Sequence, residues 1–184
     1  MKPCSFLLVI AFTVGCRRPD PLPVFQTVPP FELTSESGTA FGSANLDGKI
    51  WIVDFIYTTC PGPCPRMSFQ MRRIQELTAA MPQVELVSIT VNPDVDTPPV
   101  LAEYAKRYTA NPARWHFLTG KREALHLLKR DAFKLGDVSA GSLEHSTRFV
   151  LVDSKRQVRA YYATLDGDPV PRVVADARRL VEEK

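Results

Sequence analysis

The sequence has little net charge, few cysteines and no apolar segment long enough to cross a bilayer. The formal net charge is only +3, and the basic residues are scattered rather than gathered in an aromatic-rich patch, which argues against a nucleic-acid-binding protein. The apolar run over 6–14 is too short to span a membrane. No internal repeat or second domain is evident over the 184 residues, so the length indicates one globular domain with a full core.

The first sixteen residues have the pattern of an export signal. Lys2 supplies a positive charge ahead of the apolar run, and Thr13-Val14-Gly15-Cys16 resembles the cleavage box of bacterial lipoproteins, with Thr13 where leucine is usual. We therefore expect a signal peptide over 1–15 and a lipid on Cys16. The mature protein would be exported and anchored by this lipid on the extracytoplasmic side of a bacterial membrane. An ordinary signal peptide with an incidental Cys16 is the alternative.

Export would leave only one pair of thiols. Cleavage would remove Cys4 and lipidation would use Cys16, so Cys60 and Cys64 would remain. In an oxidising compartment such a pair forms a disulfide, is kept reduced by a partner protein, or holds a metal ion.

The rest of the chain alternates between strand and helix patterns. A proline-rich tether is expected over 16–30 and a domain over 31–184. Within the domain we predict a hairpin over 31–42, strands over 50–56, 84–90, 115–118, 149–152 and 158–162, and helices over 65–80, from 98 to before 111, over 122–135 and over 170–183. The strands at 149–152 and 158–162 form a second hairpin. This order predicts a three-layer α/β domain with a mixed sheet, and Asp96 and Thr97 are expected to cap the second helix.

Cys60 and Cys64 lie on the turn between the 50–56 strand and the first predicted helix, with prolines at 61, 63 and 65. Free N–H groups at a helix N-terminus favour the thiolate, which is both a nucleophile for disulfide exchange and a soft ligand for Cu(I) or Zn(II). A structural disulfide is an alternative, although so small a ring would contribute only about 2 kcal/mol. Two buried free thiols in the core are another. The motif alone leaves redox and metal chemistry equally open.

Four motifs occur together in the order and spacing of one known family. They are Tyr57-Thr58-Thr59-Cys60-Pro61-x-x-Cys64-Pro65, Asn92-Pro93-x-x-Asp96-Thr97-Pro98, Leu118-Thr119-Gly120 and Glu144-His145-Ser146. From about residue 31 to its end, the chain resembles the Sco/SenC family of thioredoxin-like proteins. The resemblance implies a thioredoxin-like α/β/α fold with an N-terminal β-hairpin and an inserted hairpin. The sequence departs from the family at Gly62, where an acidic residue is usual, and at Asn92, where aspartate is common.

The resemblance also implies a copper site. Cys60, Cys64 and His145 would be its ligands, and the usual role in the family is to deliver copper to the CuA site of cytochrome c oxidase subunit II, or to reduce the cysteines of that site. Two thiolates and one imidazole suit copper in both oxidation states, Cu(I) and Cu(II). His145 closes a loop that contains Gly136 and Gly141, so it could approach the cysteine turn.

Two functions follow from these residues. In the first, the protein is a copper metallochaperone rather than an enzyme, and a partner protein keeps its thiols reduced. In the second, it is a thiol–disulfide reductase, in which one cysteine attacks a partner disulfide and the other resolves the mixed disulfide. His145 separates the two functions, because copper transfer requires it and simple exchange does not. A thiol peroxidase is disfavoured, because Tyr57 stands where such enzymes have threonine.

Overall fold

The computed structural model describes residues 20–136 and 146–183. The strands are β1 (Gln26–Thr27), β2 (Glu32–Ser35), β3 (Ala40–Gly42), β4 (Ile50–Ile56), β5 (Val84–Thr90), β6 (Trp115–Thr119), β7 (Arg148–Val152) and β8 (Gln157–Ala163), and the helices are α1 (Pro63–Leu77), α2 (Pro98–Arg107), α3 (Arg122–Leu127) and α4 (Val170–Glu182). A 3₁₀ turn covers Ser43–Leu46, and a π-helical turn, Leu128–Ala132, continues α3. Across these described ranges, none of the helices has both the length and the apolar character that a membrane crossing requires.

The strands form one mixed sheet in the order β1-β8-β7-β4-β5-β6-β2-β3. At its centre, β4 pairs in parallel with β5, from Ile50 opposite Val84 to Ile56 opposite Thr90, and antiparallel with β7. All seven residues of β4 are buried. A strand covered on both faces is expected to be apolar throughout, and the single exception in β4 is Asp54. The β2–β3 and β7–β8 hairpins are both present, as predicted.

Two hydrophobic cores lie on opposite faces of the sheet. Because side chains alternate along a strand, Ile52 and Ile56 of β4 face one core, whereas Trp51 and Phe55 face the other. The first core is completed by residues of α1, α2 and α4, namely Met67, Met71, Leu101, Tyr104, Val173 and Ala177. The second is completed by residues of α3, the π-helical turn, the N-terminal segment, β2 and the 3₁₀ turn, namely Leu125, Leu128, Val28, Leu33 and Leu46. The predicted three-layer α/β/α architecture is confirmed.

The N-terminal segment differs from the predicted tether. Over the described residues 20–30 the tether prediction is wrong, because this stretch packs against the domain. β1 pairs antiparallel with β8, and Val28 is fully buried. The guanidinium of Arg159 donates hydrogen bonds to the carbonyl oxygens of Leu22 and Pro23. Proline lacks an N–H and is tolerated beside an edge strand, so the proline content that suggested a tether is also compatible with a docked segment.

The third helix ends earlier than predicted. The α-helix stops at Leu127, and in the π-helical turn the N–H of Phe133 donates to the carbonyl of Leu128 at 3.0 Å. This wider turn brings the fully buried ring of Phe133 against Phe55, with 5.5 Å between the ring centroids. The chain then leaves the helix through Lys134, in the left-handed region at φ 51°.

Candidate redox and metal site

Cys60 and Cys64 lie together where β4 leads into α1. Cys60 closes a tight turn in which its N–H donates to the carbonyl of Tyr57 at 3.2 Å. Pro63 begins α1, where its missing N–H needs no partner, so Cys64 lies in the first turn of the helix. Both cysteines are reduced; Cys60 is 7% exposed and Cys64 is 0% exposed. The predicted placement on a strand-to-helix turn is confirmed.

The surroundings of Cys60 favour its thiolate. Burial opposes ionisation, but the backbone N–H groups of Cys64 and Gly62, the Cys64 thiol and the Tyr57 hydroxyl all donate hydrogen bonds to the Cys60 sulfur. These donors outweigh the burial, so the pKa of Cys60 is lowered. Hydrogen bonds to the charged form always act in this direction. Tyr57, which the sequence analysis named only as part of the cysteine motif, therefore belongs to the candidate site.

Cys64 behaves in the opposite way. Burial is the largest cause that raises the pKa of its thiol, and the negative charges that Cys60 and Asp54 carry when ionised add to the rise. A hydrogen bond from the backbone of Tyr57 opposes this only in part. The two sulfurs are therefore unequal. The pKa of Cys60 is lowered and that of Cys64 is raised, so Cys60 is the thiol that ionises more readily.

Alkylation should separate the two thiols. When the reduced protein is treated with a limiting amount of iodoacetamide at pH 7, Cys60 should be modified at least about tenfold faster than Cys64, because the thiolate is the reacting form. Peptide mass spectrometry would give the two rates. In urea the rates should converge, since the folded environment causes the difference. Equal rates in the folded protein would contradict the assigned roles.

Asp54 is a buried carboxylate beneath this site that the sequence did not single out. It lies on the β4 face that carries Ile52 and Ile56 and is completely buried. Within 20–136 and 146–183, neither carboxylate oxygen has a hydrogen-bond partner. The Ser88 hydroxyl on β5 is close enough to favour the carboxylate slightly, but its geometry falls short of a hydrogen bond. Burial dominates and raises the pKa of Asp54 to about 7.

Asp96 contacts the cysteine turn instead of capping α2. Thr97 precedes the helix as predicted, and its carbonyl accepts from the N–H of Leu101 at 2.9 Å. The Asp96 carboxylate, however, accepts hydrogen bonds from the N–H and hydroxyl of Thr58 and from the hydroxyl of Thr90. The predicted capping role of Asp96 is therefore wrong. Its donors come from β5 and from the residues just before Cys60.

The third predicted ligand, His145, lies outside the described residues. Among residues 20–136 and 146–183, no group of three histidine, cysteine or acidic side chains is placed to hold a metal ion. Of the three predicted ligands, the structure describes only the two thiols, and sulfur is the ligand type that Cu(I) prefers. His116 is accounted for structurally, because its Nε2 lies 3.3 Å from a carboxylate oxygen of Glu85.

A family model described as SCO1/SenC matches residues 20–182. The chain belongs to the SCO1/SenC family. The matched range begins at the docked N-terminal segment, includes both cysteines and covers the described domain up to residue 182. A putative copper-binding protein from Stutzerimonas stutzeri is 33% identical over 83% of this chain and 78% of that one.

Solved SCO1/SenC-like structures share the fold. A SCO1/SenC family lipoprotein from Bacillus anthracis is 30% identical, with a TM-score of 0.77 over 84% of this chain and 95% of that one. BsSco, described as a Sco family cytochrome c oxidase assembly protein with a disulfide switch, is 26% identical, with a TM-score of 0.78 over 90% and 100% of the two chains. ScoI from Arabidopsis thaliana with copper bound is 24% identical, with a TM-score of 0.71 over 86% and 100%, a likeness of fold. The thioredoxin-like fold is confirmed.

The two departures from the SCO1/SenC pattern have different surroundings. Gly62 is exposed just before α1, and a Cβ atom added there would meet nothing within 4 Å. An acidic side chain would therefore fit, and the absence of charge between the cysteines is not imposed by space. Asn92 is nearly buried in the loop between β5 and α2, where its N–H donates to Oγ1 of Thr90 at 2.9 Å. It thus belongs to the same network as Asp96.

Proposed function

We propose that this SCO1/SenC protein is a copper metallochaperone that binds one copper ion through Cys60, Cys64 and His145. The copper is its cargo, and the CuA site of cytochrome c oxidase subunit II is the destination. The observation that carries the proposal is the pair of reduced thiols where β4 leads into α1, one of which has a lowered pKa. The copper binding stated for the Stutzerimonas stutzeri relative supports copper as the metal, and the oxidase assembly role stated for BsSco supports an oxidase as the acceptor.

The surroundings of the pair suit a site that takes up and gives away a metal. Thr59, Pro61 and Gly62 around Cys60 are exposed or partly exposed, so an acceptor thiolate could approach the turn. Cys60 offers a thiolate first, and Cys64 must then lose its proton to complete the pair. Metal binding therefore releases a proton, and affinity should rise with pH. Copper can pass to an acceptor by stepwise exchange of thiolates, without ever being free.

We further propose that Cys16 carries a lipid that holds the domain on the extracytoplasmic face of the membrane. The B. anthracis relative, described as a lipoprotein, supports this arrangement. Since 20–30 pack on the domain, the anchor and the folded domain would be separated by only a few residues. The thiols would then need a protein reductant in the same compartment.

Replacing His145 with alanine tests the copper site. The reduced protein would be loaded anaerobically with Cu(I) and then oxidised, and bound copper and the absorption spectrum would be measured. We expect one copper per chain with a thiolate-to-Cu(II) charge-transfer band, and loss of that band in His145→Ala, because imidazole helps to hold Cu(II). His126→Ala is the matched control and should keep the band. An unchanged spectrum in His145→Ala would show that the ligand assignment is wrong.

A thiol–disulfide reductase is the second candidate, and the inequality of the two thiols favours it. The Cys60 thiolate would attack a partner disulfide, which forms a mixed disulfide and releases one partner thiolate. Cys64, once deprotonated, would attack the Cys60 sulfur, which closes the internal disulfide and releases the second partner thiol. Failure of the wild-type protein to retain copper, together with rapid exchange of this kind, would favour the reductase over the chaperone.

A further inference from the structure

Asp96 holds the residue that leads into the cysteine turn. Its carboxylate is completely buried. It accepts from the N–H of Thr58 at 3.1 Å, from the Thr58 hydroxyl at 2.5 Å and from the Thr90 hydroxyl at 2.5 Å. Thr58 is separated from Cys60 by one residue. We call Thr58, Thr90 and Asp96 the Asp96 clamp.

The clamp joins two segments that are distant in sequence. On one side, the turn closes through the hydrogen bond from Cys60 N–H to the Tyr57 carbonyl. On the other side, Asp96 N–H donates to the carbonyl of Asn92 at 2.9 Å, which folds the β5–α2 loop back on itself. The last β4 residue, Ile56, accepts from Val91 N–H at 2.9 Å. The cysteine turn is thus fastened to the end of the central parallel strand pair rather than left as a free loop.

A buried carboxylate is expensive to desolvate, and it is tolerated when several donors compensate it. Asp96 meets this condition by using a backbone N–H and two hydroxyl groups, and Thr58 supplies two of the three. An ordinary helix cap would have been satisfied locally. Because the Asp96 carboxylate binds Thr58, the turn is ordered before any ligand arrives. A binding segment that is ordered beforehand loses less conformational entropy when the ligand binds.

We propose that Asp96 is a positioning residue for Cys60, acting through Thr58 to hold the turn in the conformation that brings the two sulfurs together. This inference rests on the proposed function, because the same geometry is needed for a shared copper ion and for the internal disulfide. Without the clamp, the turn would have to be ordered each time the sulfurs meet. The pair would then close its disulfide less readily and would hold copper less tightly.

Equilibrium with glutathione tests the clamp without copper. One oxidised glutathione and the protein dithiol give the protein disulfide and two reduced glutathiones, so the two thiol protons pass to glutathione. In Asp96→Asn we expect the equilibrium constant for forming the protein disulfide to fall by about tenfold or more, the loss typical of a charge-assisted hydrogen bond. Thr58→Val should move it in the same direction by less, because the backbone N–H remains. Thr58→Ser should have the same equilibrium constant as wild type, since serine keeps the hydroxyl.

A matched control separates positioning from a general loss of stability. Tyr162→Phe also removes a buried hydroxyl bound to a carboxylate, that of Asp176 at 2.8 Å, but its bond lies between β8 and α4, away from the clamp. It should lower stability and leave the glutathione equilibrium unchanged. If Tyr162→Phe changes the equilibrium as much as Asp96→Asn does, or if Asp96→Asn leaves it unchanged, the positioning role is wrong.

Measuring copper binding by the same variants separates a failure of the Asp96 clamp from a failure of the proposed function. Under the charge-transfer assay, Asp96→Asn should bind copper more weakly than wild type and show a shifted band. A wild-type protein that binds no copper would overturn the chaperone proposal. The glutathione equilibrium would still test the positioning role of Asp96, because it involves no copper. A wild-type protein that binds copper no better than Asp96→Asn would overturn the clamp and leave the chaperone intact.

Discussion

Replacing Asp54 with asparagine should stabilise the protein at pH 8 and leave its stability nearly unchanged at pH 4. Burial raises the pKa of this carboxyl from 3.8 to about 7 in the folded state. A difference of about three pH units corresponds to roughly 4 kcal/mol. This is the upper bound of the gain we expect for Asp54→Asn at alkaline pH, where the wild-type carboxyl is charged in the core.

The sign follows from proton linkage. Between pH 3.8 and about 7, the folded state retains a proton on Asp54 that the unfolded state has lost, so the free energy of unfolding decreases as pH rises. Below this window both states are protonated and the residue costs nothing. Above it both are charged, and the full cost of a buried charge is present. An amide cannot ionise, and Asp54→Asn therefore removes the dependence.

Urea unfolding at a series of pH values would measure this effect as the difference between variant and wild type. The difference should grow from near zero at pH 4 to its maximum above pH 7. Asp166→Asn, a change at an exposed carboxylate, is the control and should give a curve parallel to wild type. A constant difference at all pH values would show that Asp54 has the same pKa in the folded and unfolded states.

Replacing Arg159 with methionine should cost about 3–5 kcal/mol of unfolding free energy, the range found when one partner of a buried ion pair is removed. The Arg159 guanidinium lies 2.9 Å from the carboxylate of Asp153, and the two side chains are only 9% and 8% exposed. The change would leave the Asp153 charge in the protein without this guanidinium. It would also remove the hydrogen bonds to Leu22 and Pro23, so the N-terminal segment should detach more easily.

Two measurements check this expectation at neutral pH. Urea unfolding gives the stability change, and limited proteolysis reports how often residues 20–30 leave the domain. Arg172→Met is the matched control, because Arg172 is 80% exposed and lies 4.0 Å from Asp176. An exposed pair of this kind contributes at most about 1 kcal/mol. If the two variants lose the same stability, Arg159 does not hold the segment in place.

The parts of the fold that were predictable are those with a local signal. Strand β4 was placed at its true limits because a central parallel strand is a continuous apolar run. The start of α1 was placed at Pro65 rather than Pro63, since the alternating prolines give no single starting point. The π-helical turn after Leu127 could not be foreseen, because one wide turn leaves no repeating pattern in the sequence.

In the candidate site, too, the features with a local sequence signal were predictable, and those that depend on distant contacts were not. The placement of Cys60 and Cys64 was predictable because their spacing and their strand-to-helix context are local. Asp96 was assigned to a cap because an acidic residue and threonine before two prolines are typical of a helix start. Its donor Thr58 lies 38 residues away, and nothing in the local sequence indicates that contact. Asp54 was recognised only as part of a buried strand, since its lack of partners depends on side chains from other elements.

The docked N-terminal segment shortens the edge of the sheet that is open to other molecules. The outermost strands, β1 and β3, have two and three residues, whereas β8 and β6 further in have seven and five. Short outer strands offer few free N–H and C=O groups to a strand of another molecule, and prolines at 23, 29 and 30 flank β1. β1 pairs with Gln157 and Val158, so a chain beginning at residue 31 would leave this part of β8 open to strand addition as well. We therefore expect residues 20–30 to reduce self-association through the β8 edge.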